Sequence, residues 1–385
     1  MRSKPDFQTP LRWALALVAA LLLALAGTAA RAEPVTVTDA LDRSVTVDAP
    51  VQRIVLAQAR HYPLLALLHP QPAGLVAGWS DELRTSYADD YAAYLKHAPE
   101  LADIPIVSRH TPDTFSVEKA LALKPDLVVL TPRFAGGTSR EQVEDTPIMK
   151  RFAAAGVPVI VVDFFISPME HTVPSLRALG AALGEDARTQ EFITFYEQHM
   201  QAIRERLADV PAGDRPKVFM HAHAGTTDCC NSPGTGTFEE MIAYAGGHNI
   251  GSDSLKTATG RLSFEYVNAS RPAVYVATGT GAGSRSQTGL AIGRDVPEAE
   301  ARASLQRILQ RDRLGGLPAV RGGNAHGIWH GFNDSPLHVV FIEALAGWIH
   351  PERMQGISAQ ATLDEINQRF LGAVPMTGTY MVDLM

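Results

Sequence analysis

The longest regular pattern of apolar and polar positions lies near the middle of the chain, over residues 187–208. Apolar side chains recur there at steps of four, four, three and four, at Phe192, Tyr196, Met200, Ile203 and Leu207. This spacing places them on one face of an α-helix. About 22 residues rising 1.5 Å each give a rod of roughly 33 Å, long enough to cross a domain. We interpret the segment as a helix that joins two lobes, although a surface helix packed on one core would have the same pattern.

Short apolar runs alternate with amphipathic segments on both sides of this helix. Before it, the pattern predicts a hairpin over 35–47 and then buried strands at 53–57, 75–78, 104–107, 126–130 and 157–162. After it, the pattern predicts strands at 217–221, 273–277 and 325–329. One helix is predicted over 141–155, whereas the residues after Pro375 carry no pattern. The alternation indicates an α/β fold with mostly parallel sheets covered by helices on both faces.

A short motif occurs once in each half of the chain. Ser116-Val117-Glu118 is followed after six residues by Pro125 and an apolar run that ends at Thr131. Ser263-Phe264-Glu265 is followed after six residues by Pro272 and an apolar run that ends at Thr278. A helix–strand unit used once in each of two similar lobes would produce this repetition.

The first 32 residues have the pattern of a cleavable export signal. A basic start with Arg2, Lys4 and Arg12 precedes an apolar run over 13–26, and Ala30-Arg31-Ala32 offers a cleavage site. No cysteine stands near that site, so we expect no lipid anchor. Since no later run reaches 18 apolar residues, we predict a protein exported without a membrane anchor to a Gram-negative periplasm.

Length and charge restrict the domain organisation and the partners. We predict a signal peptide at 1–32, an N-terminal lobe at 33–184, a connecting helix at 185–210 and a C-terminal lobe at 211–385. The net charge of −7 becomes about −10 once the leader, with a net charge of +3, is removed. An acidic surface argues against nucleic acid and anionic lipid as partners. The only two cysteines, Cys229 and Cys230, are adjacent, so no disulfide framework is predicted.

Five segments together carry a resemblance to a known family. They are VTDALDRSVTVDAPVQRIV, SVEKALALKPDLVVL, SPGTGTFEEMIAYAGGHNI, SFEYVNASRPAVYVAT and SPLHVVFIEALAGWIHPE, and they extend from about Val35 to Glu352. In this order and spacing they resemble the periplasmic binding proteins of ABC importers for iron chelates and cobalamin. The resemblance implies two lobes joined by one long helix, a ligand cleft between the lobes and little hinge motion.

The resemblance also implies a role and a partner. Such a protein is not an enzyme, needs no cofactor of its own and delivers its ligand to an inner-membrane ABC permease. Members of the family dock through one glutamate in each lobe onto arginines of the permease, and Glu118 and Glu265 occupy those positions here. We expect the protein to act as a monomer.

The carboxyl ends of the predicted strands supply the candidate ligand-binding residues, because ligands of open α/β sheets bind there. In the N-terminal lobe these candidates are Arg60, His61, Tyr62, Arg109, His110, Arg133 and Phe164. In the C-terminal lobe they are His221, His223, Cys229, Cys230, Trp329, His330 and Phe332. Each of them alone is equally compatible with an ordinary loop side chain, but their recurrence at strand ends in both halves favours a site.

The chemistry of this set favours a bulky anionic ligand. Arginine forms paired hydrogen bonds with carboxylate or catecholate oxygens, and aromatic rings offer flat contact area. We therefore predict a ferric siderophore as the ligand. Haem or cobalamin is the alternative within the same class of proteins, with His61, Tyr62, His221 or His330 as an axial ligand of haem iron.

The histidine and cysteine residues of the second half allow a further interpretation. His221, His223 and the Cys229-Cys230 pair could bind a metal directly, since imidazole and thiolate suit zinc or copper. Neighbouring cysteines converge poorly on one ion, however, and in an oxidising compartment a disulfide between them is as plausible as two thiols. A periplasmic metal-dependent hydrolase built on this cluster is the alternative from another functional class.

Overall fold

A computed structural model describes residues 33–109, 111–226, 229–281 and 288–385. The predicted signal peptide at 1–32 and the candidate His110 lie outside the described residues. None of the helices within those ranges has the length and apolar character needed to cross a membrane.

The first half of the chain builds a small hairpin and one parallel sheet. The strands are β1 (Glu33–Thr38), β2 (Ser44–Ala49), β3 (Ile54–Leu56), β4 (Val76–Ser80), β5 (Ile106–Ser108), β6 (Leu127–Leu130) and β7 (Val159–Val161). The first two pair as the predicted antiparallel hairpin. The other five form one sheet in the order β5-β4-β3-β6-β7, with every pair parallel. Crossover helices lie between successive strands, as parallel pairing requires.

The second half builds another five-stranded sheet. The strands of this half of the chain are β8 (Lys217–His221), β9 (Asn231–Pro233), β10 (His248–Asn249), β11 (Thr259–Arg261), β12 (Val274–Gly279), β13 (Gly293–Arg294), β14 (Ala325–Trp329), β15 (Gly378–Thr379) and β16 (Met381–Asp383). The sheet has the order β10-β8-β12-β14-β16 and is parallel except for β16. Two short antiparallel ribbons, β9 with β11 and β13 with β15, accompany it.

Helices cover both sheets and join them. In the first half they are Tyr62–Leu68, Glu82–Ser86, Ala88–His97, Val117–Ala122, Pro132–Ala135, Arg140–Glu144, Pro147–Ala154 and Pro168–Leu183. After the joining helix Asp186–Leu207 they are Thr237–Tyr244, Phe264–Ser270, Glu298–Arg311, Pro318–Arg321, His338–Ile349 and Ala359–Arg369. The single helix predicted over 141–155 is wrong. Thr146 is extended and Pro147 starts a new helix, because the ring of Pro147 disfavours a helical residue before it.

The joining helix Asp186–Leu207 buries the face that the sequence predicts. Phe192, Tyr196, Met200, Ile203 and Leu207 are all buried. The helix starts after Gly184, which ends the preceding helix in a left-handed conformation at φ 71°. Near this turn the two helices pack closely, since a Cβ on Gly180 would lie 2.1 Å from Oγ1 of Thr189. We call Asp186–Leu207 the connecting helix.

Arg188 ties the connecting helix to both halves of the chain. Its Nε donates to the carbonyl of Leu67 at 2.8 Å, and its Nη2 donates to the carbonyl of Phe370 at 2.8 Å. Leu67 belongs to the helix after β3, whereas Phe370 follows the last helix of the chain. The connecting helix therefore fixes the two halves against each other near its start.

A buried histidine in this region makes stability dependent on pH. His338 is fully buried and contacts the Tyr196 hydroxyl at 2.8 Å, and burial lowers the pKa of His338 to about 3. The unfolded chain binds a proton there below about pH 6.5, but the folded chain does not until near pH 3. Stability therefore falls as the pH drops through this window, by about 1.4 kcal/mol per pH unit.

We expect His338→Gln to reduce this slope by about that amount between pH 6 and pH 4.5. Urea unfolding at several pH values measures the slope in both proteins. His97→Gln, at an exposed position of the helix Ala88–His97, is the control and should keep the wild-type slope. Equal slopes in wild type and His338→Gln would contradict the assignment.

Candidate functional site

The carboxyl ends of the two sheets face each other, and one carboxylate links them. Asp334, in the turn after β14, lies 3.3 Å from Nη1 of Arg60, 3.4 Å from Nε2 of His61 and 3.4 Å from Nε2 of Gln58. The three partners stand together directly after β3. Asp334 is 4% exposed, so these contacts between the lobes are nearly free of solvent.

Arg60 is held on its other side by a second carboxylate. Its Nε donates to Oε1 of Glu82 at 2.9 Å, its Nη2 contacts the same oxygen, and Glu82 is 1% exposed. Burial opposes the charge of Arg60, but Tyr87, Glu82 and Asp334 outweigh this effect and hold its pKa well above the ordinary value. In this arrangement Arg60 already has two carboxylate partners.

Further contacts close the cleft between the lobes. Nε of Arg294 donates to Oδ1 of Asp90 at 2.8 Å, and both side chains are buried. Burial raises the pKa of Asp90, while Arg294 acts in the opposite direction. The ring of Tyr87 meets the ring of Trp329 edge-on at 5.9 Å. The hydroxyl of Thr237 also donates to the carbonyl of Phe165.

A cavity remains between the closed lobes on the side of the connecting helix. It has a volume of about 300 Å³, and both lobes line it, through Arg60, Tyr62, Tyr87, Arg188, Trp329 and Phe370. Small-molecule pockets span about 300–1,000 Å³, so this one lies at the lower limit. A ligand of chelate size therefore requires the lobes to separate or binds at the mouth of the cleft.

The predicted residues of the N-terminal lobe fall into two groups. Arg109 and Arg133 are exposed, and within the described ranges neither side chain forms a hydrogen bond or ion pair. His61, Tyr62 and Phe164 are buried. His61 and Phe164 pack edge-on at 5.9 Å. Among the candidates of this lobe that the structure describes, only Arg109 and Arg133 offer unpaired charge to a ligand.

The predicted aromatic and histidine residues of the C-terminal lobe form a packed cluster at the ends of β8 and β14. The rings of His223 and His330 lie 3.8 Å apart, and Nδ1 of His330 contacts the Thr278 hydroxyl at 2.9 Å. Trp329 and Phe332 pack edge-on at 5.3 Å, with Trp329 7% and Phe332 0% exposed. The cluster forms the floor of the cleft.

The two cysteines form a disulfide bond with each other. The sequence left this pairing open against two free thiols. Cys229 is partly exposed and Cys230 is buried, directly before the β9–β11 ribbon. His221, at the end of β8, is fully buried beside them.

The side chains proposed as axial ligands of haem iron are enclosed by protein. His61, Tyr62, His221 and His330 are each at most 9% exposed. His61 contacts Asp334, and His330 contacts Thr278 and Asn333. An axial bond from any of them would require the cleft to open first.

Sequence reasoning missed the acidic and aromatic residues that follow β4 and β14. Glu82 and Tyr87 come after β4, the one strand of the first sheet for which no candidate was named. Asp334 lies five residues beyond Trp329, in a left-handed turn at φ 60°. The rule that strand ends carry the site would have found Glu82 and Tyr87, whereas the pairing of Asp334 with Arg60 depends on the approach of the lobes.

Comparisons with known proteins agree with this architecture. The chain is 27% identical over 261 residues to a cobalamin-binding protein of Halobacterium salinarum, covering 67% of this chain and 62% of the relative. It is 27% identical over 168 residues to a vitamin B12-binding protein of Yersinia pestis, covering 43% of this chain and 53% of the relative. The matches thus span less than two thirds of these relatives' own length.

A solved structure resembles the whole fold. The crystal structure of the TroA-like periplasmic binding protein FepB from Veillonella parvula superposes with a TM-score of 0.80 at 23% identity. The match covers 91% of this chain and all of that one. At this identity the likeness concerns the fold, and it confirms the predicted α/β architecture of two lobes.

The family model for periplasmic binding proteins matches residues 65–326. The chain therefore belongs to the periplasmic binding protein family.

Proposed function

We propose that this protein captures a ferric siderophore between its two lobes in the periplasm and delivers it to an inner-membrane ABC importer. The main support for this proposal is that Arg109 and Arg133 are both exposed and have no ion-pair partner in the described part of the chain. They follow the carboxyl ends of β5 and β6, at the edge of the sheet that faces the other lobe.

The spacing of the two arginines fits a wide ligand. In the sheet order β5-β4-β3-β6, the two strands lie three positions apart. At about 4.8 Å per strand, their ends are about 14 Å apart. A small oxyanion would reach only one of the two arginines, whereas a large anionic chelate could contact both.

The charge of the arginines favours an anionic ligand. Guanidinium groups form charge-assisted hydrogen bonds with carboxylate, catecholate or hydroxamate oxygens, which many siderophores present around the iron. Tyr87 and Trp329, which meet across the cleft, would supply aromatic contact once the lobes separate.

Cobalamin is the second candidate, favoured by the two relatives that are named for binding it. It is large enough to span the cleft, but it does not require two arginines in the site. The two ligands are therefore distinguished by their dependence on Arg109 and Arg133.

The test is a binding titration followed by intrinsic tryptophan fluorescence, with a panel of ferric siderophores, cobalamin and haem. We expect quenching by a ferric siderophore, because Trp329 lies in the cleft. Arg109→Ala and Arg133→Ala should each weaken this binding by about 1.5–3 kcal/mol, the magnitude of a hydrogen bond to a charged group. The far-ultraviolet circular dichroism should not change.

Arg140→Ala is the matched control, since Arg140 is also exposed but forms a local ion pair with Glu144. It should keep the wild-type affinity. Binding of cobalamin that is unaffected by both cleft substitutions would replace the siderophore by cobalamin as the ligand. Wild-type siderophore affinity in both variants would remove the arginines from the site.

A further inference from the structure

His221 has a ring nitrogen without a hydrogen-bond partner in a fully buried position. The residue ends β8 and is 0% exposed. Its Nδ1 lies 3.1 Å from the hydroxyl of Tyr275, whereas Nε2 contacts no polar group among the residues that the structure describes. Burial lowers the pKa of His221 to about 4, so the imidazole is neutral at pH 7. A buried polar atom of this kind normally has a partner.

Two further metal-ligating groups lie around this imidazole. A ring nitrogen of His221, Sγ of Cys229 and a carboxylate oxygen of Asp312 lie within 4.8 Å of one another. His221 ends β8, Cys229 lies two residues before β9, and Asp312 caps the C-terminal end of the helix Glu298–Arg311. Arg311 binds Asp312 through contacts of 2.7 and 3.0 Å, which still leaves lone pairs on the carboxylate oxygens.

In the structure Cys229 is bonded to Cys230 and cannot act as a thiolate ligand. We propose that reduction of this disulfide creates a binding site for one zinc ion, held by His221, the Cys229 thiolate and Asp312. A dithiol reductant donates two electrons and two protons, becomes a disulfide itself and leaves Cys229 and Cys230 as thiols. Zinc binding then releases the Cys229 proton to solvent. The inference does not depend on the identity of the transported ligand.

The distances and the surroundings fit zinc. With bonds of about 2.0–2.3 Å, the ligand atoms of a tetrahedral zinc lie about 3.3–3.7 Å apart, so the three groups need to approach by at most about 1.5 Å. Tyr275 can accept the Nδ1 proton of His221, which would leave the Nε2 lone pair for the metal. Such outer contacts orient zinc-binding histidines. With three protein ligands, one coordination position remains for solvent.

The experiment compares zinc binding by the mature protein in oxidised and phosphine-reduced forms, under inert gas and in competition with a chromophoric chelator. We expect one zinc ion per reduced molecule and none that survives gel filtration with the oxidised molecule. Cobalt should give a thiolate charge-transfer band with the reduced protein only. Tyr275→Phe should lower zinc affinity about 10- to 100-fold.

Two matched variants test whether the zinc ion depends on Cys229 and not on Cys230. Cys230→Ser leaves Cys229 as a free thiol and should bind zinc without any reductant. Cys229→Ser retains the other cysteine and should bind no zinc even after reduction. His221→Gln and Asp312→Asn should each lose the zinc ion while keeping the wild-type circular dichroism. If one of these two variants does not fold, the other is sufficient to test the metal site.

Several outcomes would overturn the proposal. They are equal zinc binding by the oxidised and reduced wild type, no binding by the reduced wild type, or zinc binding by Cys229→Ser that matches the wild type. Because the readout is zinc alone, none of these results depends on whether a siderophore binds.

Discussion

Arg60→Ala is expected to lower the free energy of unfolding by about 3–5 kcal/mol, the effect of removing one partner from a buried ion pair. Glu82 and Asp334, 1% and 4% exposed, would both keep a negative charge without its cation. His61 and Gln58 would remain near Asp334, but no cationic group would remain within hydrogen-bond distance of Glu82 among the described residues. Urea unfolding at pH 7 measures the loss.

A compensating substitution tests the electrostatic origin of this loss. In Arg60→Ala, Glu82→Gln the charge of Glu82, one of the two that lose their cation, is removed, so the double variant should recover part of the stability, as expected for coupled neighbours. Arg140→Ala, which breaks an exposed i,i+4 pair, should cost only about 0.3–0.5 kcal/mol. If the double variant is no more stable than Arg60→Ala, the loss comes from packing and not from unpaired charge.

Replacing both Glu118 and Glu265 by alanine is expected to reduce ligand uptake by more than about tenfold, because two tethered contacts strengthen each other through effective concentration. Both glutamates are exposed in the first turn of short helices, two residues after a capping serine. Glu118 pairs with Arg151 at 3.1 Å, but both side chains are exposed and such a pair is worth at most about 1 kcal/mol. This weak pair would not prevent Glu118 from contacting an arginine of the proposed permease partner.

Uptake and docking to permease-containing nanodiscs measure this effect, and ligand affinity of the isolated protein should stay at the wild-type value. Each single variant should be less impaired than the double variant, and docking should weaken with salt. The matched control is Glu144→Ala, Glu298→Ala, which removes one exposed, arginine-paired glutamate on each side of the connecting helix. Wild-type uptake in the Glu118, Glu265 double variant would leave only a helix-capping role for these residues.

The sequence predicted the elements whose apolar pattern repeats over many residues. The connecting helix differs by one residue at each end from the apolar pattern over 187–208. Of the central strands, β8 and β14 match their predictions, and the others differ by at most two residues at either end. The apolar pattern failed where a single residue determines the end of an element. At Pro147, one predicted helix is divided into two. The pattern also failed at the C-terminus. Met381–Asp383 forms the antiparallel edge strand β16, but three residues are too few to show an alternation.

The candidate site was predicted as a set of residue types and not as a set of contacts. The sequence placed Arg60, Arg109 and Arg133 at strand ends, which is where they lie. It treated them as equivalent, although Arg60 is held by two buried carboxylates and the others are exposed. Which arginine is paired depends on Asp334, 274 positions away in the chain, and no local pattern carries that information.

The position of Asp334 has a consequence for selectivity. Its carboxylate contacts Arg60, His61 and Gln58 from the opposite lobe, where an anionic ligand would be expected to bind. Asp334 thus competes with an anionic ligand for Arg60, His61 and Gln58, and it is part of the protein itself. The apparent affinity for any ligand that needs the open cleft is reduced by the open fraction, about 100-fold if that fraction is 1%. Abundant small anions that bind more weakly than this tethered carboxylate would be excluded, and only a ligand with additional contacts would displace it.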